Sequence, residues 1–424
     1  MLYKIKSLIK DLLRPCWWWL KNVPNAFVLF GARSYFRLFP SSSLIDKDSL
    51  YPPSELCRST TDWMSMSGEK FGATFIPLES ACTVPNPLPK SPHIRIRRQF
   101  TIDRNYDWPA TFVVTIGNAR IWGAGNIITP DQQLLDDVSY DFRAQRFSLF
   151  PKTSSVVRYW RWQDPAWYDG RVAVLSTDGA DIYYHWLFQL LPRFELMRRA
   201  GISAESIDYF LVNDLTKSFQ RESMQALGID GGKIIASSKV PYLKARQVIV
   251  PSIALGGGCY PSWMCQFLRS TFLKDPTAPS TGTGRRLYIS RGLATYRRVL
   301  NEGDVVQLLD RHGFEVIKLE GLSMWEQAEI MASCEAVVAP HGGGLSNLVF
   351  CRPGTKVVEI FSPELVAGYF WKLCNQLKLD YYYILGKGLP ETQDDGYQQS
   401  WSARADIVVD LPILRQALEM SGLA

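Results

Sequence analysis

From residue 171 onward, short β-branched runs alternate with longer helical ones, and the alternation starts afresh near residue 285. No other feature restricts the fold as much. A strand covered by helices on both faces reads as a near-continuous apolar run, and strands alternating with helical segments are the signature of parallel βαβ units. "RVAVLST" (171–177), "IDYFLV", "KIIAS" and "RQVIVPS" read as strands. "YYHWLFQLLPRFELMRRAGI", closed by Gly201, and "TKSFQRESMQALG" read as the helices between them, and "SWMCQFLRSTFL" as a third. "KDPTAPSTGTGR" (274–285) has nothing to bury and reads as a linker. The second series runs "RRLYISR", a helix over 301–312 capped by Asn301, "FEVIKLE", a helix with Ser323 and Glu326 as a capping box, "EAVVAPHGGG", a short helix "LSNLVFCR", "KVVEIF", "AGYFWKLCNQLKL" and "YYYILG". A last helix follows Asp410. The expectation is an α/β protein of two Rossmann-like halves. Ligands then bind at the carboxyl ends of the strands, in the cleft between the halves.

At 424 residues the chain is long for one core, and 46% apolar residues supply ample material to bury. The expected units are a basic amphipathic extension (1–40), an irregular and β-rich segment belonging to the N-terminal half (41–170), an N-terminal Rossmann-like domain (171–273), a linker (274–284) and a C-terminal Rossmann-like domain (285–424). In the second unit, residues 41–90 read as irregular, while "HIRIRRQFTI" (93–102) and "TFVVTIGNARIWGAGNIIT" (111–129) read as strands. In the first unit Ile5, Leu8, Ile9, Leu12 and Leu13 recur at helical spacing among lysines. That suits an anionic membrane surface or packing on the protein body, and no run reaches the length of about 18 apolar residues of a membrane span. A net charge of +6 without a basic stripe suits a phosphate-bearing ligand and argues against nucleic acid as a partner. The eight cysteines form no C-x-x-C pair and mostly sit in apolar runs, so they read as reduced core residues of a cytoplasmic protein. Four histidines with no H-x-x-x-H pair offer no zinc site, and no metal or cofactor is expected.

The chemistry concentrates in "APHGGGLSNLVFCRPGTKVVEI" (339–360). Gly342, Gly343 and Gly344 let a ligand approach the main chain after a strand. The helix from about Leu345 presents free N–H groups and the positive end of its dipole, a site for a pyrophosphate. Glu359, near the carboxyl end of the next strand, is placed to accept bonds from ribose hydroxyls. Three rival motifs fail. Asn347 stands where a dinucleotide fingerprint counted from Gly342 needs glycine, no G-x-S-x-G elbow accompanies the HGGG, and no glycine-lysine pair completes a P-loop. A glycine-rich turn that merely lets helix and strand pack remains the plainer alternative.

These residues, together with "YYHWLFQLLPRFELM" and "RRLYISR" followed by Arg297 and Arg298, resemble glycosyltransferase family 61. That family includes plant β-1,2-xylosyltransferases, protein O-linked N-acetylglucosaminyltransferases and bacterial enzymes of capsular or surface polysaccharide synthesis. The resemblance covers roughly residues 100 to 390, with the motifs in the family's order. It implies a two-domain GT-B fold, a UDP- or GDP-linked sugar donor, a glycan or lipid-linked glycan acceptor and an inverting mechanism. The basic N-terminus and the reduced cysteines fit polysaccharide assembly in the cytoplasm, at the inner face of a cell membrane.

Within that frame Arg291, at the end of its strand, is a candidate to bind the pyrophosphate bidentately, and Arg297 is a second. His341 is placed to donate to a phosphate or sugar oxygen, and Ser346 and Asn347 to cap the helix or touch the ligand. Inverting transfer needs a base. His185 is that candidate, with Asp181 orienting it from one helical face or serving instead. Surface solvation of the arginines, a loop-fixing His341 and a core-packed His185 beside Trp186 are the plainer readings. Asp46-Lys47-Asp48 matches a metal-binding Asp-x-Asp but follows no strand. A non-catalytic sugar-nucleotide-binding protein and a nucleotide-dependent oxidoreductase are the rival functions.

Overall fold

The computed structural model describes residues 53–141, 146–147, 164–253, 258–276, 284–362, 364–387 and 405–424. The amphipathic extension, Asp46-Lys47-Asp48 and most of the expected linker lie outside them. The chain is a mixed α/β protein built on two main sheets.

The parallel strands are, in chain order, β1 (Ala166–Val174), β2 (Tyr209–Val212), β3 (Ile234–Ala236), β4 (Tyr242–Pro251), β5 (Arg285–Ile289), β6 (Phe314–Ile317), β7 (Cys334–Pro340), β8 (Lys356–Phe361) and β9 (Asp380–Leu385). The first sheet runs β3-β2-β1-β4, with each of these neighbours parallel. Strand β4 then turns its other edge to antiparallel partners: Thr111–Gly117 pairs with its second half, Arg120–Trp122 with its first. The second sheet is parallel throughout, in the order β6-β5-β7-β8-β9. Both orders reverse direction once, between β1 and β4 and between β5 and β7. Such switch points open a crevice at the carboxyl ends of the strands.

The apolar pattern dictates the layering. Helices Glu302–Asp310 and Leu411–Ser421 bury Val305, Leu309, Leu414 and Leu418 against one face of the second sheet. On its other face, Met324–Ala332, Gly343–Phe350 and Tyr369–Leu377 share a continuous core with the helical run Tyr183–Arg199 and with Ser262–Phe272 of the first half. A helical layer thus joins the sheets. Among the described residues no helix is long and apolar enough to cross a membrane. The seven described cysteines are free thiols, six of them buried.

Several local expectations need correction. "HIRIRRQFTI" is no strand: its second half is a short helix, Arg98–Ile102, whose Phe100 plugs into the aromatic cluster of Phe361, Trp371 and Tyr383. The described part of 41–90 is not irregular, since Thr74–Glu79 adds a strand to the first sheet through Thr111–Gly117. Nor does all of 41–170 stay with the first half. The Lys90 N–H donates to the Tyr381 carbonyl (3.3 Å) and the Tyr383 N–H to the Lys90 carbonyl (3.0 Å), so this stretch borders the edge strand β9. The Trp371 indole N–H donates to the Pro87 carbonyl at 2.8 Å. Asn301 precedes its helix without a side-chain cap; its amide instead bridges Val409. The capping box of Ser323 and Glu326 forms as expected.

Candidate functional site

Both loops at the β5/β7 switch point carry the predicted residues. Strand β5 ends at Ile289, and Arg291 follows; β7 ends at Pro340, and His341-Gly342 follows. Gly342 is extended, so its backbone does not require glycine. Space does. A Cβ there would lie 1.9 Å from Arg291 Nη1, so the guanidinium rests directly on the glycine backbone.

Arg291 is held by main-chain oxygens, Nε donating to the Arg297 carbonyl (3.2 Å) and Nη2 to the Tyr296 carbonyl (3.1 Å). Arg297 adopts a left-handed backbone (φ 53°) and donates from Nη1 to the His341 carbonyl at 3.1 Å. Its Nε is buried and has no protein partner among the described residues. Both guanidiniums stand over the Tyr296 ring, at 5.6 and 5.0 Å from its centroid. Burial, and then the charge of Arg297, depress the pKa of Arg291. Two adjacent cations bonded to neutral carbonyls, one with an orphaned donor, make a site that an anion would complete.

The glycine loop leads into Gly343–Phe350, a 3-10 helix rather than the expected α-helix. Its first intrahelical bond runs from the Leu345 N–H to the Gly342 carbonyl (3.0 Å), so the N–H groups of Gly343 and Gly344 precede the ladder. Leu345 itself is buried in the core and its N–H is spent. The buried Ser346 Oγ has no protein partner among the described residues. Asn347 is committed to the fold: its Oδ1 accepts from the Tyr183 hydroxyl (2.7 Å), and its Nδ2 donates to Gln327 Oε1 (2.9 Å) and the Gly344 carbonyl (3.2 Å). It braces the loop instead of capping it.

Glu359 also differs from expectation. It is fully buried on β8, its Oε1 pairs with His341 Nδ1, and its Oε2 accepts from the Tyr381 hydroxyl at 2.6 Å. Both oxygens are engaged and the side chain is fully buried, so the carboxylate orients His341 from within the core. His341 is further clamped between the Phe361 and Phe370 rings, at 5.1 and 5.5 Å.

The first half reaches this loop through the run Tyr183–His185, the wide turn Trp186–Leu190 and Leu191–Arg199. Pro192 brings no N–H to its turn, and the ladder adjusts by a π turn in which the Leu191 N–H bonds the Trp186 carbonyl. Tyr183 bonds Asn347, and Tyr184 packs on Phe370, which contacts His341. His185 therefore stands on the element that docks against the glycine loop. Its Nδ1 lies 2.9 Å from Gln189 Oε1. Burial pushes its pKa down to about 4, and the Gln189 bond opposes this. It is neutral at pH 7. Asp181 lies in the turn before the helix, exposed, not on a shared helical face. Its backbone carbonyl accepts from Lys217 Nζ at 3.0 Å. The partner four residues away from His185 is Gln189, downstream and an amide, in place of an upstream acid.

The structure thus brings Arg291, Arg297, His341 and the three glycines together, docks the His185 element beside them, and turns Glu359 and Asn347 into supports. No curated protein matches the chain. The family model described as Glycosyltransferase 61 matches residues 183–358, a span that holds His185, both arginines and the whole glycine loop. Over that span the chain is similar to glycosyltransferase family 61, and the match supports membership of that family.

Proposed function

We propose that this protein is an inverting, GT-B-type glycosyltransferase that moves a sugar from a nucleotide donor to a glycan hydroxyl. The observation that carries the reading is the pair Arg291 and Arg297 at the β5/β7 switch point, bonded to main-chain carbonyls, with Arg291 lying against Gly342 at the head of the glycine loop. This is the charge pattern that a departing nucleoside diphosphate needs. Its negative charge is met by two guanidiniums and a helix end, so transfer is expected to proceed without a metal. His341, fixed by Glu359, orients the loop and the donor.

His185 then takes the proton of the attacking hydroxyl. The acceptor oxygen bonds the anomeric carbon from the face opposite the phosphate. The bond from that carbon to the phosphate oxygen breaks, and its electron pair leaves on the nucleoside diphosphate. A role in surface polysaccharide assembly, with a lipid-linked or soluble glycan acceptor at the inner face of a membrane, fits the mild positive charge. The test is sugar release and transfer across a panel of UDP- and GDP-sugars, with and without a strong chelator. Turnover of at least one donor, insensitive to the chelator, is expected. Binding without any turnover would instead identify a non-catalytic sugar-nucleotide-binding protein.

A further inference from the structure

Gln189 has no role in the account so far, yet it is only 3% exposed on the helix that faces the glycine loop. Its Oε1 lies 2.9 Å from His185 Nδ1. An amide oxygen accepts and never donates, so Nδ1 must carry the hydrogen and Nε2 the lone pair. The π turn begins directly after His185 and contains Gln189, and Pro192 follows it closely. Arg193, one residue on, is buried and bonds the Ser176 carbonyl at the end of β1, anchoring this stretch to the first sheet.

We propose that Gln189 is a positioning residue for glycosyl transfer: its amide oxygen holds His185 in the Nδ1–H tautomer and so presents Nε2 to the acceptor hydroxyl. The proposal rests on His185 being the base. A carboxylate at this position would favour the imidazolium and leave the histidine protonated over a wider pH range. A neutral amide fixes the tautomer without that charge. The ionisable groups around the helix include Asp181 and Lys217 at its start, the buried Arg193 and Glu195 on its later turns, Glu222 near Tyr183, and the hydroxyls of Tyr183, Tyr184, Tyr260 and Tyr369. Burial pushes Tyr183 and Tyr260 up, so both stay neutral.

The test uses full-length protein labelled with 15N-histidine. With four histidines in the chain, His185→Ala assigns the resonance. Neutral His185 should be protonated at Nδ1. Gln189→Leu should release that tautomer and lower kcat about 10- to 100-fold with the donor KM unchanged. Gln189→Glu keeps an acceptor, so it should restore the tautomer and raise the acid limb of the kcat profile by more than one pH unit. An Nε2-protonated wild type overturns the proposal. So does an inactive His185→Ala beside Gln189 variants with wild-type kcat and acid limb; that result spares the base assignment. A fully active His185→Ala would sink the base assignment, and the proposal with it.

Discussion

Arg291 and Gly342 show how one residue's chemistry forces another's size. The guanidinium is useful only if it lies against the loop that follows β7, and it can lie there only because position 342 has no Cβ. We therefore expect Gly342→Ala to displace Arg291 and to weaken donor binding at least about 10-fold, a loss of roughly 1.4 kcal/mol, with little change in the unfolding midpoint. Isothermal titration with UDP and GDP reads it. Unchanged affinity would mean that the contact has no bearing on the donor. The glycine's importance was legible as a flexible corner, but its reason was not. The colliding partner is Arg291, about fifty residues upstream and brought near by the β5/β7 pairing. Glu359 is a related case. Its position near a strand end suggested the rim of a site, but both faces of β8 are covered by helices. The hydroxyl that satisfies it comes from Tyr381 on the neighbouring strand.

The run Tyr183–Arg199 and the 3-10 helix Gly343–Phe350 are joined by one side chain, Asn347. Its amide closes three bonds, to Tyr183, Gln327 and Gly344, and it is fully buried. Replacing it with the near-isosteric Leu leaves the Tyr183 hydroxyl and the Gln327 amide oxygen unpaired in the core. We expect Asn347→Leu to lower stability by about 2–4 kcal/mol, and Tyr183→Phe by only about 1 kcal/mol, since that change removes the donor and leaves one acceptor. Urea midpoints measure both. Equal, negligible effects would show that the junction is held by the apolar layer alone. The existence and order of the helices and strands followed from apolar periodicity. The π turn and the 3-10 geometry did not, because both arise from local hydrogen-bond adjustment around Pro192 and the glycines.

At the scale of the whole molecule, the two βαβ series emerged as two sheets, with strand orders that periodicity alone does not specify. The register of β4 between parallel and antiparallel partners, and the stretch around Lys90 on the edge of β9, rest on pairings far apart in sequence. Stability also carries the imprint of His185. Its pKa in the fold is about 4, below the ordinary 6.5. Between these values the unfolded chain takes up a proton that the folded one refuses. Its contribution is thus fully present above pH 6.5 and is lost as the pH falls toward 4. Urea unfolding at pH 7.5 and pH 5 should differ by an amount on the order of 1–2 kcal/mol more in the wild type than in His185→Gln. Identical pH slopes would mean that His185 titrates normally in the fold.

The central claim is that Arg291, Arg297 and the glycine loop receive the diphosphate of a sugar nucleotide. The most direct measurement is the thermal midpoint of the protein with UDP and GDP, in a chelator, for the wild type and for Arg291→Ala, Arg297→Ala. Binding to the folded state raises the midpoint by mass action. The account predicts a rise with at least one of the two nucleotides in the wild type and none in the doubly substituted protein. A rise of equal size in both proteins, or no rise with either nucleotide in the wild type, would contradict it.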